Sequence, residues 1–440
     1  MRDNLVRQDA PYDSNRIPAA ARNALVMLAL VSLLNFYDRT LVAVISQPLR
    51  AEFHLSDTEY GLISGPAYVA IYAVATILFG WLADRSSRRR IVLILALAGW
   101  SLMTAASGLV TSFAMLVLAR AAMGAGEGAS NPLGVSILSD YFVPARRSFA
   151  LAVFFGGGMV GIFLSFTLGS TIAAHFGWRA VFLVAGLPGL VLAAAMALGL
   201  REPPRGRHDS IANPLPYGTL LRRLSRNRAY FWLNAAISMT TFSTFGVMVW
   251  FPQFFIRYHH LTTQQVGLLF GPAAALGLLS GTFFGGWMGN RLARRALERP
   301  LLLCVVVNLA IVPIYLVVFW TESLPIGLVG TFVGMALAAS HSPNSQAAMQ
   351  NVCSPYERGT AVALNNLAIA LIGQGLLSFL VGLISDHLKP EMGTEALRWA
   401  LSVSTLYALV AAGFFALAMF NARRQYAGMA RGTSAAPDPV

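Results

Sequence analysis

The sequence predicts an all-α membrane protein of twelve transmembrane helices, arranged as two six-helix bundles related by an internal repeat. Three observations carry this expectation. Of 440 residues, 56% are hydrophobic and only 12% charged, with a mean hydropathy of +0.61; a soluble domain carries about 25% charged residues. The apolar residues fall in runs of about 20, the length that crosses a bilayer. One signature is also written twice. Leu55-Ser56-x-x-Glu59-x-Gly61 recurs as Leu261-Thr262-x-x-Gln265-x-Gly267. Each copy is followed at the same distance by a basic pattern, Gly80-x-x-x-Asp84-Arg85-x-x-Arg88-Arg89 or Gly286-x-x-x-Asn290-Arg291-x-x-Arg294-Arg295. Duplicated membrane bundles of this kind are the architecture of secondary transporters.

Residues 1–21 are polar and lack the pattern of a cleaved signal peptide, so they are expected to form a tail before an anchoring first span. The N-terminal bundle occupies 22–200, with spans near 24–48, 60–82, 91–109, 112–139, 148–172 and 178–200. The C-terminal bundle occupies 229–421, with spans near 229–255, 264–288, 300–319, 324–350, 358–385 and 396–421. Ser56 with Glu59, and Thr262 with Gln265, have capping-box spacing and mark a helix start where the chain re-enters the membrane. Between the bundles, 201–228 is a basic connector. Pro203 and Pro204 stop the sixth helix, and Pro214 and Pro216 precede a short amphipathic stretch, Leu220 to Leu224, expected to lie on the membrane surface. Residues 422–440 form a second tail.

Orientation follows from the arginines. Arg85 to Arg90, Arg146, Arg147, the connector, Arg291 to Arg299, Arg358, Arg423 and Arg424 fall in one set of loops, and few fall in the other. Basic loops stay cytoplasmic, so both termini are expected inside a bacterial inner membrane. The same distribution explains the formal charge of +13 without nucleic acid, because the arginines do not form one patch. Lys389 is the only lysine.

Several patterns carry no chemistry. Gly156-x-Gly158-x-x-Gly161 matches a dinucleotide fingerprint but sits in an apolar helix, where it reads as close helix packing. There is no Walker loop, so ATP is not the energy source. Cys304 and Cys353 lack metal or disulfide spacing, and His259-His260 has no further ligand nearby. No hydrolytic constellation is present. The reading is a non-enzyme with no cofactor and no metal.

The Gly80-to-Arg89 pattern, its degenerate copy and the basic connector resemble the signature loops of the major facilitator superfamily. In that family the loop ties neighbouring helix ends together in one conformation and releases them in the other. The resemblance implies a conformational latch made of Gly80, Asp84, Arg85, Arg88, Arg89, Arg147, Asn290 and Arg291. Ser87 departs from the family glycine and Asn290 replaces the acid, so the second latch is expected to be weaker. The arginines could equally serve topology alone. Asn35-Phe36-Tyr37-Asp38-Arg39, Arg120-x6-Glu127 within a Gly-rich fourth span, Arg-Glu-Pro-Pro-Arg-Gly and Leu371-Ile372-Gly373-Gln374-Gly375-Leu376 together resemble the bacterial spinster-like branch over residues 24–420. That resemblance implies transport of an anionic or amphipathic molecule such as a lysolipid or sphingoid-type lipid. The Asn35-x-x-Asp38-Arg39 and Gly126-Glu127 elements also resemble the anion–cation symporter branch, so an organic-anion:proton symporter of sugar or aromatic acids stays open.

Asp38, Arg39, Arg120 and Glu127 lie inside spans, where a charge costs at least ~2.5–3.5 kcal/mol. At 1.5 Å rise per residue, Glu127 stands ~10.5 Å beyond Arg120 on the same helix face. With the first and fourth spans side by side, as the family architecture implies, the four charges are expected to form one network. Asp38 and Glu127 are the proton-coupling candidates. Arg39 and Arg120 are their partners, and Arg120 is the better anion holder because guanidinium grips carboxylate or phosphate through two donors. The competing reading is a static buried salt bridge. Asn35, Tyr37, Asn131, Phe242, Phe245, His341, Asn365, Asn366 and Gln374 are cavity candidates. Pro343 beside His341 is expected to break the tenth helix, and Trp250 and its aromatic neighbours to face lipid at an interface. The expected partners are a small-molecule or lipid substrate, protons and the bilayer, with the protein a monomer.

Overall fold

The computed structural model describes residues 17–204, 217–354 and 357–433. The tail arginines Arg2, Arg7 and Arg16 and the prolines Pro214 and Pro216 lie outside the described residues, as does the side chain of Asp84. All regular elements among the described residues are helices. The first half contains α1 (Ala19–Val44), α2 (Ser46–Phe53), α3 (Asp57–Ser64), α4 (Pro66–Arg85), α5 (Arg89–Ser107), α6 (Phe113–Glu127), α7 (Ser130–Tyr141), α8 (Pro144–Leu164) and α9 (Ser170–Gly199). The amphipathic α10 (Tyr217–Arg226) follows. The second half contains α11 (Arg228–Thr241), α12 (Val247–His259), α13 (Thr263–Ala293), α14 (Arg299–Trp320), α15 (Leu324–Val352), α16 (Arg358–Ala368), α17 (Leu377–Met392), α18 (Ala396–Ser404) and α19 (Leu406–Thr433).

Nine helical stretches among the described residues are long and apolar enough to cross a membrane. Two exceed one crossing, Phe149–Gly199 with 51 residues and Arg358–Tyr426 with 69. The first breaks at Gly177, whose φ of +79° disfavours any residue with a Cβ. Both capping boxes form: Ser56 and Glu59 exchange side-chain and backbone hydrogen bonds, and so do Thr262 and Gln265. The repeat extends one step further than its motif. His54 and His260, each two residues before a cap, both adopt the left-handed conformation that ends the preceding helix. The glycine fingerprint packs α8 on α1, since a Cβ on Gly161 would stand 2.1 Å from the Leu33 carbonyl oxygen. Pro343 does not break its helix, because α15 runs through it from Leu324 to Val352. Prolines are tolerated inside membrane helices, and Asn344 beside this one donates to the carbonyl oxygens of Ser340, 2.9 Å, and Gly285, 3.0 Å, tying α15 to α13.

The apolar cores place the two halves. At the end carrying Arg85–Arg90, each half has its own core. One is built on Leu93, Leu133 and Met196, the other on Leu224, Leu233 and Met349. At the opposite end, one core crosses both halves and includes Leu41, Tyr60 and Phe166 from the first, and Trp250, Phe251, Phe270 and Leu377 from the second. Contacts between the halves include α3 on α17, α1 on α12, and α13 on α8 and α9 along that core, and α4 on residues 369–376, where Ala370 packs on Tyr68 and Tyr72. The halves are therefore joined at the far end. Trp250, Phe251, Phe254 and Phe255 are fully buried in this shared core, which corrects the expectation of a lipid-facing belt. Their rings pack on one another and on Phe270, Tyr315 and Phe319, and that partner set outweighs the pull of the interface. Lys389 is exposed near the far end of α17.

Candidate functional site

The intramembrane charges gather around a residue that the sequence reading passed over. Tyr68, on α4, donates a short hydrogen bond to Glu127 Oε2 at the end of α6 and accepts from Arg39 Nε on α1 at 3.1 Å. Arg39 Nε stands 4.0 Å from the same Glu127 oxygen. Asn35, one turn before Arg39, donates to Glu127 Oε2 and to its carbonyl oxygen, both at 3.4 Å, and accepts from Arg39 Nη2. The Arg39 guanidinium lies over the rings of Tyr72 at 4.5 Å, Phe36 at 5.2 Å and Tyr68 at 5.5 Å. Arg120 covers another side of Tyr68 at 4.7 Å and donates to the Ile63 carbonyl oxygen. Tyr68 and Tyr72 are one turn apart and stack, so their spacing was the available signal.

Three of the four charges thus touch Tyr68, and Asp38 reaches Glu127 and Arg120 only through the field. Its Oδ2 accepts from Thr104 on α5 at 3.2 Å, and its other oxygen has no hydrogen-bond partner among the described residues. Asp38 and Arg39 are adjacent on a helix, roughly 100° apart, so they take different direct partners. Glu127, Asp38, Arg120 and Tyr68 are at most 1% exposed, whereas the Arg39 side chain keeps 12%. Glu127 Oε1 and Arg120 Nη1 are also unpartnered among the described residues. Arg39 is therefore the more accessible guanidinium, and Arg120 the buried one.

The remaining candidates scatter. Phe245 meets Phe36 at 6.4 Å and so borders the Arg39 site from the second half. Tyr37 turns away and lines an apolar groove with Leu33, Leu164 and Val184. Phe242 is buried against Tyr407. His341 is buried with its Nδ1 at 2.5 Å from the Ala338 carbonyl oxygen and its ring near Phe415. It faces the interior of the second half, away from the charges. Asn365 donates to Asn234 on α11 at 2.9 Å and joins helices there. Asn131 and Gln374 are half-buried, and Asn366 is exposed.

At the basic end, Arg89 holds the latch region. It donates to Asp140 at 2.6 Å, to Ser136 Oγ at 2.9 Å and to Glu202 at 3.0 Å, tying α5 to α7 and to the chain beyond α9. Arg147 binds the carbonyl oxygens of Ser139 and Phe142. Gly80 packs near Pro132, Arg85 covers Trp81, and Arg88 is exposed. In the second copy Asn290, Arg291 and Arg295 are all exposed.

The far end holds a cluster that the sequence reading missed. Asp57, 2% exposed, accepts from Arg50 of its own half and from Arg257 of the other, at 2.6 and 3.1 Å. Ser385 on α17 donates to the same carboxylate at 2.6 Å. Asp386 accepts from the backbone N–H groups of Asp57 and Thr58 at 3.1 and 2.7 Å, so a carboxylate of the second half caps α3 of the first. Anions are favoured at a helix N-terminus. Outside the membrane segments, Glu52 accepts from Trp178 and Arg179, and these donors hold its carboxyl below the ordinary range.

The Major Facilitator Superfamily model matches residues 28–376. The chain belongs to that superfamily. Within it, the relatives include an efflux pump, spinster homologs and sphingosine-1-phosphate transporters. The chain is 31% identical over 401 residues to an MFS-type efflux pump of Mycolicibacterium smegmatis, covering 89% of this chain and 91% of the pump. It is 28% identical to the sphingosine-1-phosphate transporter SPNS2 of Danio rerio, covering 88% and 80%. Among solved structures, it is similar to a bacterial homolog of the human lysosomal transporter spinster in an inward-facing, unoccupied conformation. The TM-score is 0.83 with 25% identity, covering 92% of this chain and 98% of that one. The same homolog in an inward-facing, occupied conformation gives 0.80. This chain is accordingly a spinster-like major facilitator transporter, a multi-pass membrane protein.

Proposed function

We propose that this transporter couples proton movement to alternating access for an anionic or amphipathic small molecule of the lysolipid or sphingoid class. Twelve crossings follow if Phe149–Gly199 and Arg358–Tyr426 each count twice and α6 with α7 forms one more. The frame is two bundles, 22–200 and 229–421, with the connector 201–228 and both termini cytoplasmic in a bacterial inner membrane. On that orientation the shared far-end core faces outward and the separate cores face inward, so the state is open to the cytoplasm. The solved relatives' inward-facing conformations support this reading.

The observation that carries the coupling is Glu127. It is a fully buried carboxylate with one oxygen held by Tyr68 and Asn35 beside Arg39, and the other oxygen without a hydrogen-bond partner among the described residues. Charged groups inside a membrane are functional by default. Arg39 is the least buried member, and its neighbour Phe36 touches Phe245 of the moving half. Rearrangement of the halves would shift Arg39 and rewet the site, so that a proton binds on one face and leaves on the other. The Arg39 guanidinium, framed by Phe36 and Tyr72, suits an anionic head group beside an apolar body. Asp38, hydrogen-bonded to Thr104, is the second acceptor.

The test is flux of a lysophospholipid, and of a sugar acid for comparison, in proteoliposomes with an imposed pH gradient. Glu127→Gln should abolish gradient-driven flux while leaving exchange of substrate without a gradient. Native gradient-driven rates in both Glu127→Gln and Asp38→Asn refute the coupling. Gradient-driven flux of the sugar acid alone refutes the lipid assignment and leaves the coupling standing.

A further inference from the structure

The helix between the halves is anchored in a way that leaves two of its charges unanswered. α10 drives Leu220 and Leu224 into the second half, where Leu224 joins the core formed by Tyr230, Val352 and Ala422. Asn227, just after it, donates to the Val352 carbonyl oxygen at 2.8 Å. Arg223 stands 3.9 Å from Glu357. Arg222 and Arg226 are exposed, four residues apart, and have no acidic partner among the described residues. Like charges at that spacing repel on a helix surface. Nothing in the packing of α10 requires them.

Beside them lies a groove of about 570 Å³, between α10, the start of α11 and α16. Its walls are of two kinds. Arg222, Ser225, Tyr230 and Asn234 give it polar groups, and Leu221, Phe231 and Leu364 give it apolar ones. Phe231 is 56% exposed on a membrane helix, so the apolar side opens where lipid tails lie. The two walls match a phosphate head and the first part of an acyl chain. Basic side chains beside membrane helices bind anionic lipid head groups.

We propose that this groove is a binding site for one anionic phospholipid of the surrounding bilayer. Its phosphate is held by Arg222 and Arg226, with the Ser225 hydroxyl at hand, and its chain lies along Leu221, Phe231 and Leu364. The bound lipid would clamp α10, and with it the connector, to the second half.

Native mass spectrometry of the full chain in mild detergent, titrated with phosphatidylglycerol or phosphatidylcholine, tests this. Wild type should retain one phosphatidylglycerol in preference to phosphatidylcholine. Arg222→Gln with Arg226→Gln should weaken that first binding roughly 30-fold, about fivefold per arginine. Leu221→Glu, which keeps the arginines and blocks the chain, should also remove it. Equal binding of the two lipids by wild type, or unchanged binding in the double variant, overturns the proposal. If inorganic phosphate competes the lipid away at equal concentration, the head group alone is the ligand and the lipid assignment fails. The site does not depend on the proton reading, and a transporter lacking proton coupling would still bind here.

Discussion

Asp57→Asn should loosen the far end by an amount that can be worked from its contacts. The substitution keeps the side chain's shape and removes its charge. Arg50 and Arg257 then lose their shared carboxylate and keep the Ser385 hydroxyl, with Asp386 the nearest remaining anion. Breaking a buried ion pair by removing one partner costs about 3–5 kcal/mol. The Arg257 side chain is 26% exposed, so water recovers part of this. About 2–3 kcal/mol is a fair figure for the joined state. In a state with the far end parted, Asp57 and Arg257 are separately hydrated and the same change costs little. The difference shifts the ratio of states roughly 30–150-fold. From a resting ratio of about 99:1, the variant would sit between roughly 3:1 and 2:3. The assay is electron–electron distance measurement between labels on Ala51 and Glu391, which are exposed on opposite halves at that end. The background carries Cys304→Ser and Cys353→Ser, both native thiols being buried. Wild type should give one short distance, and Asp57→Asn a second, longer population of about a quarter to three-fifths. An unchanged distribution would refute the view that this carboxylate holds the halves together.

Tyr68→Phe removes the hydroxyl that joins Arg39 to Glu127; a hydrogen bond to a charged group is worth about 1.5–3 kcal/mol, so proton-driven flux should fall about 10–100-fold with folding intact by size exclusion. Arg89→Ala removes the side-chain donor that joins Asp140, Ser136 and Glu202 at the basic end and should cost about 1.5–3 kcal/mol in detergent unfolding, whereas Arg295→Ala, its exposed repeat counterpart, should stay within about 0.5 kcal/mol. Glu52 has a depressed carboxyl, so its contribution is present above the ordinary carboxylate range and lost as pH falls through the lowered value. Thermal unfolding of Glu52→Gln should accordingly match wild type at low pH and lie slightly below it near neutrality, by no more than roughly 1 kcal/mol for so exposed a pair.

The repeat made most of this architecture readable. Capping boxes and basic helix ends are local signals, and both Ser56–Glu59 and Thr262–Gln265 fold as their spacing says. The membrane charges were readable too, because Glu127 and Arg39 have no soluble excuse. Their grouping was less so. Position on a helix face separates Asp38 from Arg39, yet side-by-side spans alone do not say which face meets which neighbour. Tyr68 was hidden because an aromatic in an apolar helix looks like packing until a carboxylate from another helix reaches it. Asp57 was hidden for a different reason. It reads as an ordinary first-turn acid of α3, and its partners Arg257, Ser385 and Asp386 lie 200 or more residues away in sequence. Pro343 shows the reverse error, a local signal overruled by the packing of α15 between α13 and α14.

The solitary lysine on α17 gives this chain a built-in reporter. An amine-directed label that cannot cross lipid will find a single side chain, Lys389, and only from the face on which the shared core lies. Peptide mapping of the label at Lys389 should therefore give opposite answers in whole cells and inverted vesicles, and the sidedness inferred from arginines alone could be read without engineering a residue.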